Sequence, residues 1–145
     1  MKDNEIVLVF DFLSERDVEQ EDRVELFFSK DPDMQDYYCF EIDALGRVLS
    51  YRAHYYRIFD FSWNPPSGFN VLSKIHSDGY SVEGRIPLNF LKDFIHKNYI
   101  YFGAYRADFS KKDDFLIENW QTWKAPETVH PDFHVPISLG KLFLR

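Results

Sequence analysis

One cysteine, Cys39, stands alone in 145 residues. No internal disulfide can form, and thiolate metal sites lose their usual ligand set. Cys39 lies between Tyr38 and Phe40, with no Cys or His at ligand spacing, and reads as a small packed side chain. Long apolar runs are missing as well. The longest, Ile6-Val7-Leu8-Val9-Phe10, has the length of a strand and falls short of a bilayer span. Positive charge is in deficit: 17 Lys and Arg against 24 Asp and Glu give a formal net charge of −7. Nucleic-acid backbones and anionic membranes select basic surfaces, so neither is the expected partner, whereas an uncharged ligand fits. Met1-Lys2-Asp3-Asn4-Glu5 lacks the basic and apolar regions of a secretory signal, so at face value the chain is expected to stay in the cytoplasm.

Catalytic frames are equally scarce. No Gly-x-Ser-x-Gly elbow frames a serine, and His54, His76, His96, His130 and His134 are scattered without a His-Glu-x-x-His pair. His134, between Phe133 and Val135-Pro136, reads as a structural hydrogen-bonding group. Asp31-Pro32-Asp33-Met34-Gln35-Asp36 puts carboxylates at near-alternate positions, which makes Asp31, Asp33 and Asp36 weak calcium candidates. The stretch lacks the glycine and the distant glutamate of an EF-hand, and a plain acidic turn is the stronger reading. Lys111-Lys112-Asp113-Asp114 reads as a second such turn. No cofactor and no metal are expected.

What the chain does have is aromatic side chains, 19% of the total, as 15 Phe, 9 Tyr and 3 Trp. Such residues favour pleated, half-buried surfaces. Ile6, Leu8, Phe10 and Phe12 alternate, as do Val24, Leu26 and Phe28, then Tyr38, Phe40 and Ile42, then Tyr80, Val82 and Ile86. Period two puts one face of each segment on a core and leaves the other for solvent or ligand. Turn chemistry separates them at Ser29-Lys30-Asp31-Pro32-Asp33, Ala44-Leu45-Gly46 and Ser77-Asp78-Gly79-Tyr80. Residues 87–94 read as one short helix opening on Pro87, with Leu88, Leu91 and Phe94 turned toward the sheet. Residues 100–108 and 139–144 return to strand. The expectation is a single all-β domain over residues 1–145. Its architecture is an antiparallel β-sandwich, immunoglobulin- or jelly-roll-like, of about eight or nine strands with one short helix.

Two groups of residues could bind a ligand. Glu25, Glu41, Glu83, Arg85 and Arg106 fall out of phase with the apolar set of their own strands. If they share a sheet, carboxylates and guanidiniums would receive the vicinal hydroxyls of a sugar. The plainer reading is a solvated sheet face with cross-strand ion pairs. Trp63 stands beside Asn64-Pro65-Pro66, and Trp120 and Trp123 flank Gln121-Thr122; each could present an indole to the apolar face of a pyranose. In an extended segment, residues three apart face opposite ways, so one of Trp120 and Trp123 is expected outside and the other inside.

Glu21-Asp22-Arg23-Val24-Glu25-Leu26-Phe27-Phe28, Tyr37-Tyr38-Cys39-Phe40-Glu41-Ile42-Asp43 with Gly46, and Gly79-Tyr80-Ser81-Val82-Glu83-Gly84-Arg85-Ile86-Pro87 follow one another in order. After them come Gly103-Ala104-Tyr105-Arg106, then Trp120 with Trp123 and Pro126, then Phe133-His134-Val135-Pro136 with Gly140-Lys141-Leu142. The series resembles carbohydrate-binding module family 9, a DOMON-related group of β-sandwiches. The resemblance implies non-catalytic binding of a plant-type polysaccharide or oligosaccharide such as xylan or β-glucan, in support of carbohydrate catabolism. It further implies a companion glycoside hydrolase such as a xylanase, and a secreted or periplasmic location. Trp63, Trp120, Trp123, Glu41, Glu83, Arg85 and Arg106 are the expected ligand-binding residues. The chain departs from the family pattern in the short connection of residues 14–20, as in a member shortened at its N-terminus. Three other classes compete. A glycoside hydrolase would show turnover dependent on Glu41 or Glu83. A haem-binding relative needs axial Met or His ligands, and Met34 has no evident partner. A protein–protein interaction sandwich would present a contiguous apolar patch.

Overall fold

The computed structural model describes residues 5–13, 22–113 and 115–144, the first stretch by its backbone. Expectations resting on residues 1–4, 14–21 and 114 lie outside the described residues: the signal-free N-terminus, the short connection, Glu21 and the end of the second acidic turn. Eleven strands run in the order β1 (Glu5–Leu13), β2 (Arg23–Ser29), β3 (Tyr37–Asp43), β4 (Val48–His54), β5 (Ile58–Asp60), β6 (Asn70–Ile75), β7 (Gly79–Pro87), β8 (Ile95–His96), β9 (Tyr99–Lys112), β10 (Phe115–Thr122) and β11 (Gly140–Phe143). Pairing is antiparallel throughout. A small sheet has the order β1-β7-β6. The large one runs β10-β9-β2-β3-β4-β5, with β8 and β11 also paired to β9. This is the all-β antiparallel sandwich expected from the alternation, and the count exceeds eight or nine because β5 and β8 are strands of three and two residues.

The inner core lies between the sheets. Val24, Leu26 and Phe28 of β2, Tyr38, Phe40 and Ile42 of β3, and Tyr80, Val82 and Ile86 of β7 are all buried there, as period two requires. The short helix α1 (Leu88–Leu91) begins after Pro87, whose extended backbone ends β7, and tightens into a 3-10 turn over Lys92–Phe94. Leu91 and Phe94 are buried against this core, closing one end of it. No helix among the described residues is long and apolar enough to cross a membrane.

Alternation alone does not describe β2 and β3. Phe27, Tyr37, Cys39, Tyr51, Ala53 and Tyr105 point to the opposite face of the large sheet and are buried too, in a second apolar cluster with Met34, Phe133 and Leu139. The cover is residues 123–139, which leave β10 and rejoin the sheet at β11. Phe133 stacks on Tyr105 with ring centroids 4.1 Å apart and planes 10° from parallel. The Tyr105 hydroxyl donates to the Ser138 carbonyl at 3.0 Å. His134 lies 4.9 Å from the Phe27 ring, and its Nδ1 is 3.0 Å from the Tyr37 hydroxyl. That confirms a structural role for His134. The outer face is therefore half covered, where the sequence pattern left it wholly open.

Candidate functional site

The outer face of the large sheet also carries charged residues. Strand register sets them in two rows. Thr122, Tyr105, Glu25, Glu41 and Leu49 stand directly across from one another along β10-β9-β2-β3-β4. Trp120, Ala107, Arg23 and Asp43 form the adjacent row. Residues two apart on a strand share a face, so the rows are neighbours. A shallow hollow of about 220 Å³ opens here, lined by Arg23, Glu41, Asp43, Arg47, Val48 and Leu49.

One guanidinium organises the acids. Arg23 Nε lies 2.8 Å from Glu25 Oε1 and 3.2 Å from Glu41 Oε2. The Tyr51 hydroxyl donates to Glu41 Oε1 at 2.9 Å, and Arg47 pairs with Asp43 at the hollow's edge. Glu25 is 4% exposed, and its carboxyl is pushed up from 4.5 to about 7, by burial first and then by the charge of Glu41, with Arg23 opposing. Near neutrality Glu25 can thus accept a hydrogen bond or donate one. Aromatic rings adjoin the partners of the acids. The Arg23 guanidinium lies 5.4 Å from the centre of Trp120, whose ring meets Phe133 at 4.9 Å. On the other side Phe61 is 60% exposed and rests 5.2 Å from the Tyr51 ring.

The structure separates the residues singled out in the sequence. Glu41 lines this hollow, and Glu25 and Trp120 reach it only through Arg23, which touches both. Glu83 and Arg85 are on β7 of the small sheet, where Arg85 Nη2 pairs with Glu83 Oε1 at 2.9 Å. Arg106 stands on the inner face, 5% exposed and 5.8 Å from the Tyr80 ring, so the expectation of one charged sheet face corrects to three separate settings. The reason is register: Arg106 lies across from Val24, in phase with the core, and is held by interior partners. Trp63 packs edge-on against Tyr38 and Phe40 at 5.0 and 5.6 Å, as a lid on the inner core. Trp120 and Trp123 do face opposite ways. Trp123 is 47% exposed beside Phe102 and Gly140.

The acidic turn is closed by its own hydrogen bonds. Asp31 accepts backbone N–H bonds from Asp33, Gln35 and Asp36, while Asp36 is held between Lys30 and Arg52. Two of the three calcium candidates thus have other partners, and the described residues contain no group of three or more His, Cys, Asp or Glu able to hold a metal. Arg23, Tyr51 and Phe61 escaped the sequence reading as site residues. The available signal was Arg23 and Glu25 alternating on one strand, with Phe59 and Phe61 alternating just before Trp63.

The family model described as carbohydrate family 9 binding domain-like matches residues 11–145. Among solved structures, a protein of Bacteroides uniformis to which carbohydrate binding is ascribed aligns with a TM-score of 0.63 at 17% identity. That alignment covers 98% of this chain and 74% of the other. A carbohydrate binding module family 9 from Caldicellulosiruptor kristjanssonii, in complex with glucose, aligns with a TM-score of 0.63 at 16% identity over 99% of this chain and 72% of that one. At such identities the likeness establishes the sandwich fold. No curated protein matches the chain.

Proposed function

Since the chain belongs to the carbohydrate family 9 binding domain-like family, we propose that it binds a saccharide, without turning it over, on the open half of the large sheet's outer face. The observation that carries this is the Glu25–Arg23–Glu41 cluster set between Trp120 and Phe61. Sugar hydroxyls both donate and accept, and Glu41 beside the guanidiniums of Arg23 and Arg47 at the hollow matches both needs. The C–H faces of a pyranose stack on aromatic rings. The glucose held by the Caldicellulosiruptor relative supports a neutral hexose unit, as in β-glucan, with xylan as the related pentose chain. Such a module would hold a polysaccharide-degrading enzyme near its substrate.

Hydrolysis is the weaker reading. A glycosidase sets two carboxyl groups on either side of the scissile bond. Glu25, which is buried, and Glu41 instead face each other on adjacent strands and share one guanidinium.

Titration of cellohexaose and xylohexaose, followed by tryptophan fluorescence and calorimetry, tests the proposal. Trp120→Ala and Glu41→Gln should each weaken binding about tenfold, the loss of roughly 1.4 kcal/mol. Unfolding midpoints would establish that the variants remain folded. If the parent binds neither oligosaccharide, or if both folded variants bind like the parent, the site is wrong. Release of reducing sugar would restore the hydrolase reading.

A further inference from the structure

A second concavity lies farther along the same outer face, on the other side of residues 133–139. It is an open groove of about 550 Å³ lined by Pro32, Tyr101, Lys124, Leu139, Lys141 and Phe143, among others. Register builds its floor: Lys141 stands directly across from Tyr101, and Phe143 from Tyr99. Four side chains of β9 and β11 therefore share one surface, two of them phenols, one a phenyl and one an ammonium. Phe143 is 60% exposed and 5.8 Å from the Tyr99 ring. The Lys141 ammonium sits 4.5 Å over Tyr99. Lys124 holds the opposite wall by donating to the Leu139 carbonyl at 3.1 Å, which uses one of its three N–H groups.

Two lysines lining one groove with an aromatic floor stand out in a chain of net charge −7. Nearby carboxylates are partly neutralised. Asp31 accepts three backbone N–H bonds and Asp36 sits between two cations, while Asp33 is exposed on the rim beyond Pro32. The hydrogen bond with Tyr101, with the charges of Lys141 and Lys97 adding to it, holds the Tyr99 phenol below its ordinary range. Lys124 and Lys141 bring positive charge to the groove, while Asp31 and Asp33 act on Tyr101 from the Pro32 side; the floor is apolar and edged by hydroxyls.

We infer that this groove is a second saccharide site, selective for sugars that carry a carboxylate. The carboxylate would lie between Lys124 and Lys141, and the C–H face of the ring on Tyr101 or Phe143. A plain anion uses the lysines without the rings, and a neutral sugar uses the rings without the lysines. A uronate uses both, and that double match selects the class. Tyr101 is four residues, about 13 Å, along β9 from Tyr105, and β11 flanks β9 on the side opposite β2, so the groove is separate from the Glu25–Glu41 hollow. The two sites are independent, so this inference stands or falls without the first.

The test is titration of the whole chain with trigalacturonate, with xylotriose and oligoglutamate of matched charge as controls. Trigalacturonate should bind at least about tenfold more tightly than either control, and its affinity should fall as salt rises from about 0.05 to 0.5 M. Lys141→Gln, an exposed change, should cost about tenfold for trigalacturonate while leaving cellohexaose binding at the other site unchanged. Phe143→Ala should weaken trigalacturonate and spare oligoglutamate. The inference is overturned if the parent does not bind trigalacturonate, if oligoglutamate binds equally well, or if Lys141→Gln binds trigalacturonate as the parent does. Loss of cellohexaose binding in Glu41→Gln alone reports on the first site and leaves this one standing.

Discussion

Glu25 and Glu41 face each other across β2 and β3, and Arg23 holds both through one nitrogen. The more buried of the two, Glu25, keeps its proton in the folded chain up to about pH 7, whereas the unfolded chain releases it near 4.5. Its contribution to stability is fully present below about 4.5 and is lost as pH rises through 7. His134 works in the opposite sense. Burial lowers it from 6.5 to about 4, so its contribution is present above 6.5 and is lost as pH falls through 4. The two trends nearly cancel in the parent. In Glu25→Gln the His134 trend stands alone, and stability should climb with pH between about 4 and 7 by an amount on the order of 3 kcal/mol. Urea unfolding at a series of pH values measures it. Equal pH slopes in parent and variant would mean that Glu25 is ionised throughout.

Gly103 leaves room for Tyr105 to fold back along its own strand. A Cβ at Gly103 would stand 2.7 Å from the Tyr105 Cζ and 2.8 Å from its Cε2. The ring cannot retreat, because Phe133 stacks on it and Ser138 holds its hydroxyl. Gly103→Ala should therefore destabilise by about 1 to 3 kcal/mol through overpacking. Tyr105→Phe removes the hydroxyl contacts to Ser138 and should cost about 1 kcal/mol. Chemical denaturation measures both. A Gly103→Ala protein as stable as the parent would show that residues 133–139 shift freely, and the half-covered face would lose its physical basis.

The alternation of Val24, Leu26, Phe28 with Tyr38, Phe40, Ile42 contains the sandwich and its inner core, because strand phase is a local property of sequence. The second cluster was hidden. Its cover, residues 123–139, lies about a hundred positions from the Phe27 and Cys39 it shields, and nothing local in Phe133-His134-Val135-Pro136 says which face it meets. Arg106 illustrates the same limit. It reads as outward beside Tyr105, yet its register with Val24 turns it inward. Glu41 and Trp120 were legible as ligand candidates from residue type, but their shared partner Arg23 depends on a strand order that only the folded chain displays.

Trp63 and Phe61, two residues apart, should behave in opposite ways. Trp63 packs on Tyr38, Phe40 and Phe90, so its ring contributes to the inner core. Trp63→Ala should cost roughly 3 kcal/mol of stability, near the lower end for a large aromatic because the ring is half-buried. What stays folded should still bind oligosaccharide with parental affinity, since the outer face is untouched. Phe61, 60% exposed against Tyr51, supports little packing, and Phe61→Ala should leave the unfolding midpoint nearly unchanged. It should nevertheless weaken oligosaccharide binding several-fold, because one stacking surface disappears beside Tyr51, which donates to Glu41. The two variants separate a core aromatic from a ligand platform by paired calorimetry and thermal unfolding. Weakened binding in Trp63→Ala together with parental binding in Phe61→Ala would move the saccharide from the outer face to the end of the sandwich capped by α1.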